Sequence, residues 1–229
     1  MKIFAIGDLH LSHNTEKPMD IFGAHWQNHI QKIKMNWEAH ITHEDVVLVL
    51  GDISWAMRLI EAKQDLDWLD HLPGKKICIR GNHDYWWDRP KKLEQAYPNM
   101  FFLQNTAYTL GHITLCGTRG WICPNTTHFT LEDERLFNRE LQRLTLSLDT
   151  AMKQGATEIW VMLHYPPTFG EEKASPLTSL LEKYPVTRVI YGHLHDELSW
   201  NLAIQGSYNG ILYQLAAADY LQFSPLLLS

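Results

Sequence analysis

Short runs of consecutive apolar residues alternate along this chain with longer segments in which apolar residues return every three or four positions. Such short runs are typical of buried strands, whereas the longer period is typical of amphipathic helices. The runs that predict strands are Lys2–Ile6, Val46–Leu50, Lys76–Ile79, Ile113–Cys116, Glu158–Leu163 and Arg188–Tyr191. The segments that predict helices are Ile21–Ile41, Ile60–His71 and Leu131–Lys153. Strands that alternate with helices predict an α/β fold built from βαβ units.

The pattern changes towards the end of the chain. Leu198–Ile204 and Ile211–Leu215 flank two glycines, and this arrangement predicts an antiparallel hairpin. We find no internal repeat, low-complexity tract or linker, so the sequence predicts a single domain over residues 1–229.

Residues with metal-binding side chains directly follow five of the predicted strands. The carboxyl ends of the strands in open α/β sheets form the crevice where ligands bind, and glycines before these residues allow sharp turns there. If the strands are neighbours, we expect all five clusters to converge. The clusters are Asp8-Leu9-His10, Gly51-Asp52, Gly81-Asn82-His83-Asp84, His164 and Gly192-His193-Leu194-His195.

Composition narrows the functional classes. Apolar residues make up 45% and charged residues 20% of the chain, as in ordinary soluble globular proteins, and no apolar stretch is long enough to span a bilayer. The net charge of −6 disfavours binding to long nucleic acids and favours small substrates. An acidic residue as early as Asp8 does not fit a secretory signal, and three cysteines cannot all pair internally, so we expect a cytoplasmic protein.

Taken together and in order, the five clusters resemble those of the calcineurin-like metallophosphoesterase superfamily, in its bacterial-type phosphohydrolases. The resemblance implies an α/β fold in which two mixed β-sheets pack as a sandwich flanked by helices. It also implies that two metal ions are bound and that one residue bridges them. The first ion is assigned to Asp8, His10 and His195, the second to Asn82, His164 and His193, and the bridge to Asp52.

The residue types agree with this assignment. Imidazole and carboxylate ligands suit two divalent transition-metal ions, with Mn²⁺ as the first expectation and Fe, Zn²⁺ or Ni²⁺ as alternatives. The function implied is hydrolysis of a small-molecule or nucleotide phosphomonoester or phosphodiester by a metal-bridging hydroxide. In this hypothesis His83 protonates the leaving group or stabilises the transition state. Asp84 either orients His83 or holds the loop, and we favour the second role.

Several other residues have two interpretations each. Arg119 has glycines on both sides after a predicted strand, and it either clamps a phosphate or is a surface or loop-packing residue. Trp55, Trp86 and Trp87 either stack on a substrate base or, as we favour, pack beneath loops. The histidines near the first helical segment, including His29, are expected at the surface, and His13 is expected in a solvated loop.

Two rival functions remain open on the sequence alone. The first is a nuclease, which the acidic charge disfavours, and the second is a catalytically silent scaffold, which the intact ligand set and His83 disfavour. The second cluster continues as Ile53-Ser54-Trp55 instead of the Asp-Arg-Gly of protein Ser/Thr phosphatases, so a phosphoprotein substrate is not expected. The sequence leaves the choice between monoester and diester, the leaving group, and the oligomeric state open.

Overall fold

The computed structural model describes residues 1–126 and 128–229, which form two compact units. The first unit comprises Met1–Phe102 and Ala216–Ser229, and the second comprises Leu103–Leu215. Each unit contains its own mixed β-sheet with helices beside it. Within the described ranges, no helix is both long and apolar enough to cross a membrane.

The elements are numbered along the chain. The strands are β1 (Ile3–Ile6), β2 (Val46–Val49), β3 (Lys75–Cys78), β4 (Met100–Phe102), β5 (Tyr108–Leu110), β6 (Ile113–Thr118), β7 (Ile159–Leu163), β8 (Val186–Tyr191), β9 (Gly206–Tyr208), β10 (Ile211–Leu215) and β11 (Leu226–Leu227). The α-helices are α1 (His29–His40), α2 (Leu59–His71), α3 (Pro90–Ala96), α4 (Leu131–Lys153), α5 (Pro176–Leu181) and α6 (Glu197–Leu202).

The sheet of the first unit has the strand order β11-β1-β2-β3-β4. Strands β1 to β4 run parallel, and β11 pairs antiparallel with β1 at the edge. Every residue of β1 and β2 is buried, as expected for parallel strands that are covered on both faces. Helix α1 buries Ile33 and Trp37 one turn apart, so its apolar side faces the core of this unit.

The sheet of the second unit has the strand order β5-β6-β7-β8-β10-β9. Its central strands are parallel, and β5 and β9 pair antiparallel at the two edges. Helix α4 begins after Thr130, whose side chain accepts a hydrogen bond from the backbone N–H of Asp133 in a capping box. Ser147 of α4 accepts a hydrogen bond from the N–H of Gly117, which fixes the helix against β6.

Most predicted elements are confirmed. All six predicted strands are present with their ends shifted by at most two residues, and α4 has the predicted bounds. Two mixed sheets flanked by helices agree with the predicted fold class. The three cysteines are free and buried. The single domain over 1–229 stays a prediction.

Two predicted elements are wrong in part. The helix over Ile21–Ile41 begins only at His29, because Gly23 and Asn28 have φ values of 134° and 56°, which no α-helix accepts. The strand Leu198–Ile204 is instead helix α6, where the side chain of Asp196 caps the N-terminus by accepting from the N–H of Ser199. The hairpin is formed by β9 and β10.

Candidate metal centre

In the first unit, the first two ligand clusters lie side by side just beyond the ends of β1 and β2. The parallel hydrogen bonding of these strands continues past their ends, where the N–H of Asp8 donates to the carbonyl of Gly51 at 2.9 Å. The N–H of His10 donates to the carbonyl of Asp52, also at 2.9 Å. The adjacent strands therefore bring these three predicted ligands together through the backbone.

The side chains of Asp8, His10 and Asp52 form a buried polar group. Their exposed fractions are 0%, 2% and 1%. A ligand atom of Asp8 lies within 4.8 Å of one from His10 and of one from Asp52, and His10 Nε2 lies 3.8 Å from Asp52 Oδ2. Buried carboxylates are stable when they are paired or coordinate a metal. Two carboxylates and an imidazole at this spacing therefore fit a divalent cation.

The backbone at these residues adopts an unusual conformation. Asp8, His10 and Asp52 have φ values of 59°, 45° and 49°, in the left-handed region that non-glycine residues rarely adopt. In the second unit, His193 has φ 73°. Such conformations cost about 1–3 kcal/mol each and concentrate at functional sites, where surrounding contacts enforce them. Four of the seven predicted ligands share this feature, so the loops are built to place these side chains.

The third cluster approaches Asp52 closely. A Cβ atom on Gly81 would lie 2.1 Å from Asp52 Oδ1 and 2.2 Å from the Asp52 nitrogen, so no side chain fits at this position. The N–H of His83 donates to Asp52 Oδ1 at 2.8 Å, and His83 Nε2 lies 4.0 Å from Asp52 Oδ2. Between Gly81 and His83, Asn82 is half-buried. The His83 side chain is 36% exposed and can therefore meet a substrate.

Asp84 is fully buried and joins the second and third clusters. One carboxylate oxygen accepts hydrogen bonds from the N–H groups of Ile53 and Ser54 and from the Trp86 indole, and the other accepts from the N–H of Gly81. Burial, followed by the nearby Asp52 carboxylate, raises the pKa of Asp84, and the backbone N–H groups act in the opposite direction. These contacts are those of a residue that holds the loop.

Trp55, Trp86 and Trp87 occupy different environments. Trp86 is buried in the core, and Trp87 packs edge-on against Phe102 with ring centroids 5.0 Å apart. Trp55 is half-buried and stacks on His10 at 4.7 Å, with the His83 ring 4.3 Å away. Trp55 therefore packs against both histidines of the first unit that the resemblance assigns to the site.

Two histidines that were not assigned to the site instead support the first cluster. His29 is buried, its Nε2 lies 3.2 Å from the backbone carbonyl of His10, and burial lowers its pKa. His13 Nδ1 lies 2.7 Å from the buried carboxylate of Asp65 on α2. The surface expectation is wrong for His29, since the helix turns this side chain inward beside Trp26. The four-residue spacing between His29 and the apolar Ile33 could have indicated that His29 faces the core.

The second unit contributes the remaining histidines. His164 follows β7 and is fully buried, and the N–H of Gly192 donates to its carbonyl. His164 Nε2 and His193 Nδ1 are 3.3 Å apart. This spacing suits two imidazoles that share a tetrahedral ion at about 2.0–2.1 Å, or a shared proton. His195 lies two residues further along the chain and is half-buried.

Arg119 lies beside His164 in the second unit. Its backbone carbonyl accepts hydrogen bonds from the N–H groups of His164 and Tyr165, at 3.1 and 2.9 Å. Its guanidinium stacks over the Trp121 ring at 4.4 Å and lies 3.5 Å from the buried carboxylate of Glu140. Its side chain is 13% exposed, so Arg119 is not a surface residue, and the choice between a phosphate clamp and a loop-packing residue stays open.

Comparisons with known proteins give the family of the chain. Residues 1–197 match the family model of the calcineurin-like phosphoesterases. Over 113 residues, which are 47% of this chain and 54% of the relative, the sequence is 32% identical to the Gene 66 protein of Mycobacterium phage D29. Over 82% of this chain and 96% of the relative, it is 25% identical to the uncharacterized protein MJ1445 of Methanocaldococcus jannaschii.

Among solved structures, the fold is similar to that of TT1561 of Thermus thermophilus. The TM-score is 0.56 at 13% sequence identity, and the match covers 83% of this chain and 80% of that one. This likeness concerns the fold alone. Because the family model spans most of the sequence, the chain belongs to the calcineurin-like phosphoesterase family.

Proposed function

We propose that this protein uses two divalent metal ions to hydrolyse a phosphomonoester or phosphodiester of a small molecule or nucleotide. The observation that carries the proposal is the buried group of Asp8, His10 and Asp52, held in left-handed backbone conformations, with the half-exposed His83 beside it. A structural polar cluster needs neither the strained backbone nor an accessible histidine.

The ligands would be those that the family resemblance assigns. Two bound cations would lower the pKa of a water molecule and neutralise charge on the phosphoryl oxygens. We favour Mn²⁺, and imidazole and carboxylate ligands also accept Fe, Zn²⁺ or Ni²⁺. The residues that would hold the ions are Asp8, His10, Asp52, Asn82, His164, His193 and His195.

In this proposal His83 acts on the leaving group. Its backbone N–H is fixed by Asp52 Oδ1, and its ring packs against Trp55, so the imidazole has a defined position. A positioned imidazole can donate a proton to the departing oxygen. Asp84 would set the course of the loop through its four hydrogen bonds and act on His83 only through the backbone.

Arg119 would bind the phosphoryl group. Its guanidinium is held by Glu140 and Trp121, so little conformational freedom is lost when it meets an anion. A fixed, planar guanidinium can donate two hydrogen bonds to two oxygens of one phosphate group. A lysine ammonium lacks this two-point geometry.

Metal removal and return tests the proposal. The protein is treated with chelator, dialysed, and assayed with bis(p-nitrophenyl) phosphate and p-nitrophenyl phosphate before and after addition of Mn²⁺. We expect activity to disappear with the metal and to return with about two ions per chain. Activity that survives complete metal removal would refute the metal-dependent mechanism. Plasmid DNA and RNA in the same assay identify a nuclease.

The role of His83 needs a variant and a matched control. His83→Ala should lower kcat by about 100-fold or more, the usual contribution of a general acid, while metal content stays unchanged. The control is His112→Ala, because the His112 side chain is 80% exposed and lies far along the chain from every predicted ligand. Loss of metal in His83→Ala would make His83 a ligand and overturn its assignment as proton donor.

A further inference from the structure

The indole of Trp55 packs against two histidines of the first unit's ligand clusters. Its ring centroid lies 4.7 Å from that of His10, with the two planes 21° apart, and 4.3 Å from that of His83. The centroids of His10 and His83 are 5.9 Å apart. These separations are those of packed aromatic rings. The three side chains therefore form one group, which we call the ring cluster.

Trp55 is itself held by several contacts. Its backbone N–H donates to the carbonyl of Leu11 at 3.0 Å, and its indole N–H donates to Met19 Sδ at 3.1 Å. The half-buried ring also packs against the hydrophobic core of the first unit, and the Lys17 ammonium lies 4.8 Å from a ring centroid of the indole. A side chain fixed in this way can hold a neighbouring ring in one position.

The imidazole of His83 needs such a neighbour because it lies partly in solvent. Its side chain is 36% exposed, and its Nε2 lies 4.0 Å from Asp52 Oδ2, which is longer than a hydrogen bond. The hydrogen bond from the His83 backbone N–H to Asp52 fixes the loop, but it does not choose among the staggered rotamers of the side chain. Contact with the fixed indole can select one of them.

The same contacts disfavour stacking of a substrate base on Trp55. His10 already covers one face of the indole, since the two planes are nearly parallel. His83 and Lys17 also lie against the ring. An effect of Trp55 on a substrate would therefore pass through His83, whose imidazole is accessible.

We propose that Trp55 is a positioning residue for His83, which it holds in the rotamer that meets the leaving group. The inference rests on the proposed function, in which His83 donates a proton to the leaving oxygen. A displacement of about 1 Å at a reacting group can reduce turnover by about 100-fold. Loss of the indole should therefore lower turnover although Trp55 itself does not contact the substrate.

A double-mutant cycle between Trp55 and His83 tests the proposal. The substrates are phenyl and p-nitrophenyl phosphate esters, as the monoester or the diester that the wild type hydrolyses. Trp55→Leu should lower kcat by about tenfold or more in the wild-type background, but by less than about twofold in His83→Ala, where the imidazole is already absent. The loss should be greater for the phenyl ester, because phenolate leaves less readily without a proton. KM and metal content should stay unchanged.

Trp68→Leu is the matched control. Trp68 on α2 is also half-buried against the core, and its indole packs beside His13. This variant should keep the wild-type kcat for both esters. If Trp55→Leu does not fold, Trp55→Phe takes its place in the cycle; it keeps a ring but loses the bond to Met19, and kcat should fall by about threefold. Equal losses in the two backgrounds, or loss of metal, would show that Trp55 does not act through His83 and would overturn the proposal.

The ring contact is measured separately from activity, by NMR of the metal-free protein. The ring current of an indole displaces the proton signals of an imidazole that packs against it. The His83 signals, identified by their loss in His83→Ala, should be displaced from those of the exposed His112 and should approach them in Trp55→Leu. Signals that do not respond to Trp55→Leu would overturn the proposal. Displaced signals in a wild type that hydrolyses no phosphoester would overturn the proposed function, and with it the catalytic effect of Trp55, while the ring contact stands.

Discussion

The contact between Gly81 and Asp52 allows a sharp test of how the first unit holds its ligands. In Gly81→Ala, the new methyl group would lie 2.1 Å from Asp52 Oδ1 and 2.2 Å from the Asp52 nitrogen. Real Cβ contacts essentially never fall below 3.0 Å, so the two loops must separate by about 1 Å. The φ of Gly81 is not positive, so the substitution tests space alone.

The expected effect has two parts. Overpacking a closely packed site costs about 1–3 kcal/mol, so the free energy of unfolding should fall by about that amount. A displacement of about 1 Å at a predicted ligand should also weaken metal binding and reduce turnover by about 100-fold. Stability is measured by urea unfolding followed through tryptophan fluorescence, and metal content by elemental analysis after dialysis.

Gly155→Ala is the matched control for Gly81→Ala. Gly155 has a φ of 82° with no atom near its missing Cβ, so the added methyl group should cost about 1–2 kcal/mol through backbone conformation alone. Its metal content and turnover should match the wild type. If Gly81→Ala also kept its full metal content and turnover, the close approach of the two loops would have no role in positioning Asp52.

Three further predictions concern stability. Asp84→Asn should lower the free energy of unfolding by about 1–3 kcal/mol, because an amide cannot accept from both sides as the carboxylate does. In the same urea titration, Asp88→Asn should change it by less than about 0.5 kcal/mol, because the Asp88 side chain is 34% exposed and its ion pair with Lys92 lies in contact with solvent. Burial lowers the pKa of Lys76 to about 8 from its usual 10.5, so at this residue the unfolded chain binds more protons between these values. Raising the pH from 7 to 10.5 should therefore stabilise the wild type by about 3 kcal/mol relative to Lys76→Met. Unfolding free energies of the two proteins that change in parallel over this range would contradict this. Thr130→Ala should lower the free energy of unfolding by about 1 kcal/mol, because helix α4 loses its N-cap. The melting temperature is the measurement, and an unchanged melting temperature would mean that Asp133 caps the helix alone.

The sequence predicted those features that depend on local pattern. Buried parallel strands such as β2 are nearly continuous apolar runs, and the residues after them are recognisable because carboxylates and imidazoles rarely follow such strands by chance. The start of α1 was mistaken because apolar spacing continues through Gly23, whose backbone conformation ends any helix. The segment that forms helix α6 was predicted to be a strand. Asp196 caps the N-terminus of a helix only if the chain turns at this residue, and the sequence pattern does not show that turn.

Other features of the candidate site could not be predicted from the sequence. No local pattern shows that Asp8, His10 and Asp52 adopt left-handed conformations, because these are imposed by neighbouring strands. The hydrogen bond between Thr118 and Glu140 likewise depends on the packing of α4 against β6. A periodic pattern of apolar residues shows where strands and helices form. It does not show which distant elements pack together.

The attachment of Gly7 has a consequence for synthesis of the chain. The N–H of Gly7 donates to the carbonyl of Ala216 at 2.7 Å, and its carbonyl accepts from the N–H of Ala218 at 3.0 Å. Every predicted ligand precedes residue 196, so a nascent chain of 215 residues carries all seven but lacks both bonds beside Asp8. The loop of the first ligand cluster is therefore fastened late in translation, and tight metal uptake should follow completion of the first sheet.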